Sequence, residues 1–182
     1  MNKINFKKTT ALKPMMKKVS NATITDHSTT GTYEGERLNG KKHGKGIFTY
    51  ANGTIYRGEF KDNLMDGYGE MIWPDGEKYI GYWVRDYRTG DGVYIWSDGE
   101  KYEGQWKNDL KHGFGTYTFS NGDIYCGQWV NDLREGYGTE IYPNGNRYTG
   151  QWENDVRHGD GIYISKDEEP FIGKYENDDR IK

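Results

Sequence analysis

Tyr102-Glu-Gly-Gln-Trp-Lys-Asn-Asp-Leu-Lys-His-Gly-Phe-Gly-Thr-Tyr-Thr-Phe-Ser-Asn-Gly-Asp-Ile124 is the stretch whose reading decides the fold. Tyr102, Gly104 and Trp106 alternate with Glu103 and Gln105, and a period of two means a strand with one ring-bearing and one polar face. Gly115, Tyr117 and Phe119 alternate in the same way. Residues 107–112 are polar and are predicted to form the loop between the two strands, ending at Gly113. Ser120-Asn121-Gly122 marks the next turn, because Asn-Gly between alternating runs is a strong hairpin signal. Each such stretch therefore reads as one β-hairpin.

Outward from it the pattern repeats every 23 residues without insertion or deletion, from Tyr33 through Tyr56, Tyr79, Tyr102, Tyr125 and Tyr148, with a truncated copy at Phe171. Four of its columns hold 24 of the 26 glycines, a concentration that chance does not produce. Another column carries Phe60, Trp83, Trp106, Trp129, Trp152 and Tyr175, with Arg37 the one departure. The turn column gives Asn52-Gly53, Asp75-Gly76, Asp98-Gly99 and Asn144-Gly145. Glycine within a strand weakens it and needs a reason. A missing Cβ lets an aromatic ring lie flat over bare backbone, and such rings would form a ladder across strands. Phosphate-cradling glycine loops lead into a helix, and no helical periodicity follows Tyr33. The expected fold is all-β: an elongated single-layer antiparallel sheet of consecutive hairpins over residues 31–182, behind a basic, disordered tail over residues 1–30.

Composition agrees. Hydrophobic residues are only 33% and mean hydropathy is −1.06, yet aromatics reach 15%, which suits a thin sheet held by rings rather than a disordered chain. A lone cysteine, Cys126, excludes an intrachain disulfide framework and points to a reducing compartment. It falls on the polar-bearing face and reads as an inert thiol. No apolar run nears the ~20 residues of a membrane span, no secretory signal is evident, and Asn2 excludes myristoylation. A cytoplasmic protein is expected, neither secreted nor transmembrane. Lys3, Lys7, Lys8, Lys13, Lys17 and Lys18 against Asp26 give the tail +5, so the body carries −8 of the net −3. The tail reads as a solvated leader or as a contact for an acidic partner such as a phospholipid surface. A mitochondrial presequence is disfavoured by Pro14 and by the absence of Arg from these residues.

Y-x-G-x-W, a polar loop, G-x-G, an aromatic strand and [ND]-G together resemble the MORN (membrane occupation and recognition nexus) repeats, from Tyr33 to the C-terminus. Departures lie at the ends: Arg37, Glu168 in place of the turn glycine, and a seventh repeat expected to stop after one strand. The resemblance implies a twisted, groove-shaped sheet that organises cytoskeletal, ciliary or membrane-adjacent assemblies. The function read here is a non-catalytic protein-binding scaffold. Its aromatic face (Tyr56, Phe60, Tyr79, Trp83, Tyr102, Trp106, Tyr125, Trp129, Tyr148 and Trp152) is the candidate groove for an extended peptide or helix. The same rings could serve only to hold the sheet. Two other readings stand beside it: a peripheral membrane protein using the tail, and an accessory subunit of an enzyme encoded elsewhere.

No cofactor, metal or nucleic acid is expected. His43, His112 and His158 share a column, but one repeat advances roughly 10 Å, too far for a common ion. Asp109, Asp132 and Asp155 recur at a loop position with no pocket for a paired-carboxylate mechanism. Open edges, at residues 32–37 and 171–175, predict homo-oligomers by edge pairing.

Overall fold

The computed structural model describes residues 30–181. They form fourteen strands and, among the described residues, no helix. In chain order these are β1 (Gly31–Leu38), β2 (Lys41–Tyr50), β3 (Ile55–Lys61), β4 (Leu64–Ile72), β5 (Lys78–Val84), β6 (Tyr87–Ile95) and β7 (Lys101–Lys107). They continue as β8 (Leu110–Thr118), β9 (Ile124–Val130), β10 (Leu133–Ile141), β11 (Arg147–Glu153), β12 (Val156–Ile164), β13 (Phe171–Glu176) and β14 (Asp179–Ile181). All belong to one antiparallel sheet whose spatial order is the sequence order. Every strand pairs with its chain neighbour, as a series of hairpins must.

The register explains the glycines. Gly35, Gly46, Gly58, Gly69, Gly81, Gly92 and Gly104 are cross-strand partners in succession. The row continues through Gly115, Gly127, Gly138, Gly150, Gly161 and Gly173. A bare strip of backbone thus crosses the sheet from β1 to β13. Rings lie upon it: a Cβ on Gly115 would sit 2.4 Å from the Tyr102 hydroxyl oxygen and 2.5 Å from its ring carbons. The side of the sheet holding the rings is called the ring face below, and the other the outer face.

The two turns of each repeat are of different kinds, and the first differs from the sequence expectation. Residues 107–112 are not a loop. Asn108 and Asp109 alone make a two-residue turn with φ of 49° and 69°, and β8 begins at Leu110. Two positive φ values fit the mirror-image turn that matches strand twist. In the Asn-Gly turn, by contrast, only the glycine has positive φ (88° at Gly122). Asn121 acts through its side chain, accepting the Asp123 N–H at 2.9 Å. Arg85 holds the Asn108-equivalent position at φ 49°. Asn tolerates that region better than Arg, so Arg85→Asn is expected to raise stability by about 0.5–1 kcal/mol, read from a shifted urea midpoint.

Successive repeats are also stapled. Asp109 N–H donates to the Arg88 carbonyl at 3.1 Å, while its carboxylate accepts the Arg88 backbone N–H at 2.8 Å. Asp86, Asp132, Asp155 and Asp178 do the same to Met65, Lys111, Arg134 and Arg157. The once-per-repeat aspartates are therefore structural, each ordering the start of a strand in the repeat before.

At the C-terminal end the chain goes one strand further than expected. It turns at Asn177-Asp178, and the short β14 pairs Asp179, Arg180 and Ile181 with Glu176, Tyr175 and Lys174. The expected open edge at residues 171–175 is thus half covered, and among the described residues Phe171, Ile172 and Gly173 have no partner on that side.

Candidate functional site

The ring face is built from three columns. The first is the tyrosine column: Tyr102 lies across Gly104 and Gly115 and donates its hydroxyl to the Gln105 carbonyl at 2.9 Å. Tyr56, Tyr79, Tyr125 and Tyr148 do the same to the carbonyl three residues on. The second column is tryptophan. Trp106 Nε1 donates to the Gly92 carbonyl at 3.2 Å, and the indole meets Tyr102 and Tyr79 edge-on at 5.1 and 5.5 Å. Trp83, Trp129 and Trp152 repeat both the bond and the two T-shaped contacts. Each such pair contributes about 0.5–1.5 kcal/mol beyond area burial.

The third column, basic, was absent from the sequence reading. Arg88 is 1% exposed, its guanidinium 4.6 Å from the Trp106 ring and 3.0 Å from Asp109. Lys111 stands 4.8 Å above Trp129, and Arg134 4.0 Å above Trp152 with Glu140 at 3.0 Å. A cation over a desolvated ring face is favourable. The signal was present as a residue nine positions after each repeat start: Lys42, Met65, Arg88, Lys111, Arg134, Arg157 and Arg180. It was masked by its placement in what looked like a polar loop.

The structure brings all ten sequence-named rings together, in one continuous zipper, but at 0–4% exposure. Their faces are spent on glycine backbone, on each other and on the cations. Beside the Asn-Gly and Asp-Gly turns the ring face offers solvent a rim of half-buried aromatics, Tyr50, Trp73, Phe119 and Tyr142, broken by the buried Trp96. The tail lysines Lys7, Lys8, Lys13, Lys17 and Lys18 lie outside the described residues. Cys126 is exposed on the outer face, opposite Thr116 and Thr139. His158 pairs with Glu153 at 3.3 Å, and His43 and His112 each bury Nδ1.

Burial pushes the hydroxyls of Tyr56, Tyr79, Tyr102 and Tyr125 well above the ordinary tyrosine range. For Tyr94 and Tyr117 burial again dominates, and donation to the Glu77 and Glu100 carboxylates adds to it. The unfolded chain therefore releases these protons first, binding fewer protons than the folded one above its own pKa. Stability is present in full below about pH 10 and falls as pH rises beyond it. Urea melts at rising pH are expected to show midpoints constant to about pH 9 and dropping steeply above about 10.

No curated protein matches the chain. Among solved structures, the TCP domain of SAS-4 (dCPAP) of Drosophila melanogaster, in complex with a proline-rich motif of Ana2 (dSTIL), is similar. It shows 14% identity over 72% of both chains and a TM-score of 0.46. The TCP10 domain of Danio rerio CPAP, in complex with a peptide of STIL, shows 17% identity and a TM-score of 0.27, over 72% of this chain and 68% of that one. At TM-scores below 0.5 these likenesses carry no functional weight. The family model for the MORN repeat matches six consecutive segments, 33–55, 56–78, 79–101, 102–124, 125–147 and 148–168, in the same register as the hairpins and the glycine row. The chain belongs to the MORN repeat family.

Proposed function

We propose that this protein is a non-catalytic scaffold that holds a segment of another protein along its ring face. The observation that supports this reading is the rim of half-buried aromatics, Tyr50, Trp73, Phe119 and Tyr142, which runs beside the buried zipper and is interrupted in the third repeat by the buried Trp96. A single-layer sheet leaves this rim without a second layer. Its partly exposed rings form two pairs spaced ~10 Å within each pair and ~20 Å across the buried Trp96, a spacing that suits an extended peptide or a helix laid across the repeats. The ten buried rings are the floor that fixes the rim in place. The assembly we propose is cytoskeletal, ciliary or membrane-adjacent, as the family resemblance implies.

The equivalent position in the sixth repeat is Ser165, so the fold accepts a polar residue there. Proximity labelling in the source cell, with the wild type and with Trp73→Ser/Phe119→Ser, tests the proposal. Loss of a discrete set of labelled proteins is expected, and an unchanged set sinks it.

The tail's +5 charge motivates a second reading, a membrane-surface role through residues 1–30. Flotation with acidic liposomes, with and without those residues, decides it: equal binding, or none, removes the idea. Homo-oligomers through the β1 edge are tested by light scattering, where a monomer at high concentration speaks against them.

A further inference from the structure

The outer face carries aromatic residues that the repeat does not require. At the bulge of the first, fourth, fifth and sixth repeats a side-chain oxygen on the odd strand closes the backbone. Glu36, Gln105, Gln128 and Gln151 accept the N–H of Lys45, Phe114, Tyr137 and Asp160 at 3.1, 3.0, 2.7 and 2.7 Å. Tyr82 occupies this column in the third repeat and supplies no amide oxygen. Its ring instead meets Tyr68 on β4 edge-on at 5.3 Å, and both are 50% exposed. Val84, two residues on, and its cross-strand partner Tyr87 are 50% and 53% exposed and extend the patch. A residue that breaks a local structural rule while exposing a large ring marks a functional position.

What this patch would take follows from its chemistry. The strands beneath it are interior, paired on both sides, so no backbone group is available for strand addition. A partner must bind through side chains. Carboxylates flank the rings: Glu59 and Asp66 on one side, Asp91 on the other. Asp91 is opposite Gln105, whereas its repeat-mate Asp160 is neutralised by Lys174 at 3.0 Å. Arg57 and Lys78 are held by Glu70. Arg85, whose N–H bonds Asp66, is the neighbouring cation. On the ring face, cations stand over the tyrosines and tryptophans; among the described residues none stands over Tyr68 or Tyr82. Arginine stacks on aromatic faces and forks onto carboxylates, and lysine does neither as well.

We propose that the outer-face patch of Tyr68, Tyr82, Val84 and Tyr87 docks an extended, arginine-bearing segment of a partner protein. The site lies on the opposite face from the rim and does not depend on it. The test uses the full chain and a fluorescein-labelled peptide of three Arg-Pro-Ala triplets, in which proline keeps the backbone extended. Tyr82→Gln restores the side chain that closes the bulge in the next three repeats, so it is expected to fold. Saturable binding to the wild type is expected, about tenfold weaker in Tyr82→Gln and weaker for the lysine-substituted peptide. Binding is expected to be unchanged in Phe114→Gln, on the same face three strands away from Tyr82. No saturable binding, equal affinity in Tyr82→Gln, equal affinity for the lysine peptide, or equal loss in Phe114→Gln would each overturn the proposal.

Discussion

Asp109→Ala is expected to cost about 3–5 kcal/mol, the range for removing one partner of a buried ion pair. Arg88 is 1% exposed and its guanidinium is held by the Asp109 carboxylate at 3.0 Å and the Asp109 carbonyl at 3.1 Å. The same carboxylate accepts the Arg88 backbone N–H, so one truncation strips a buried charge and a strand start together. Asn63 holds the equivalent position in the second repeat and accepts the Lys42 N–H at 2.8 Å. Asp109→Asn therefore keeps the turn and the backbone bond, removes only the charge, and is expected to cost less than half as much. The exposed pair Lys41–Asp62, at 3.2 Å with both side chains more than half exposed, supplies the contrast. Lys41→Ala is expected to cost less than about 1 kcal/mol. Equilibrium unfolding in urea measures all three, and equal losses for Asp109→Ala and Lys41→Ala would remove the staple from the account.

Gly115→Ala is expected to destabilise by about 1–3 kcal/mol through overpacking, and Gly115→Val by more. The added Cβ would stand 2.4–2.5 Å from the Tyr102 ring, and that ring cannot retreat because Trp106 and Trp129 meet its edges at 5.1 and 5.5 Å. Gly99→Ala is the matched control. Nothing lies within 4 Å of its Cβ, but φ is +85°, so its cost of about 1–2 kcal/mol is backbone strain alone. The two causes separate in a double-mutant cycle with Tyr102→Leu. Replacing the ring by the shorter leucine side chain relieves the Gly115→Ala penalty and leaves the Gly99→Ala penalty untouched.

Much of this architecture could be read from the chain because its repeats carry no insertion. Tyr102, Gly104 and Trp106 recur at fixed offsets, and only a strand pairing puts all three on one face of every hairpin. The Asn-Asp turns were less legible. Glycine is the usual sign of positive φ, yet here Asn108 and Asp109 take it, and the Asp109 side chain gains a compensating bond in the neighbouring repeat. The basic column was hidden by the same error, since a lysine or arginine beside a supposed loop reads as solvated. Sequence shows which face a ring occupies, but whether it is presented or covered depends on its neighbours. Each tryptophan covers the tyrosine of the preceding repeat, so a column that looks like an exposed stripe becomes a core in a sheet without a second layer.

Tyrosine rings resting on an uninterrupted backbone strip of the smallest residue are what let one layer of strands stand alone. Proton NMR on the full chain reads that contact directly at Gly115. One of its Hα resonances should be moved strongly upfield by the Tyr102 ring current and show nuclear Overhauser contacts to that ring's protons. A Gly115 Hα at an ordinary strand shift, with no contact to Tyr102, would contradict it.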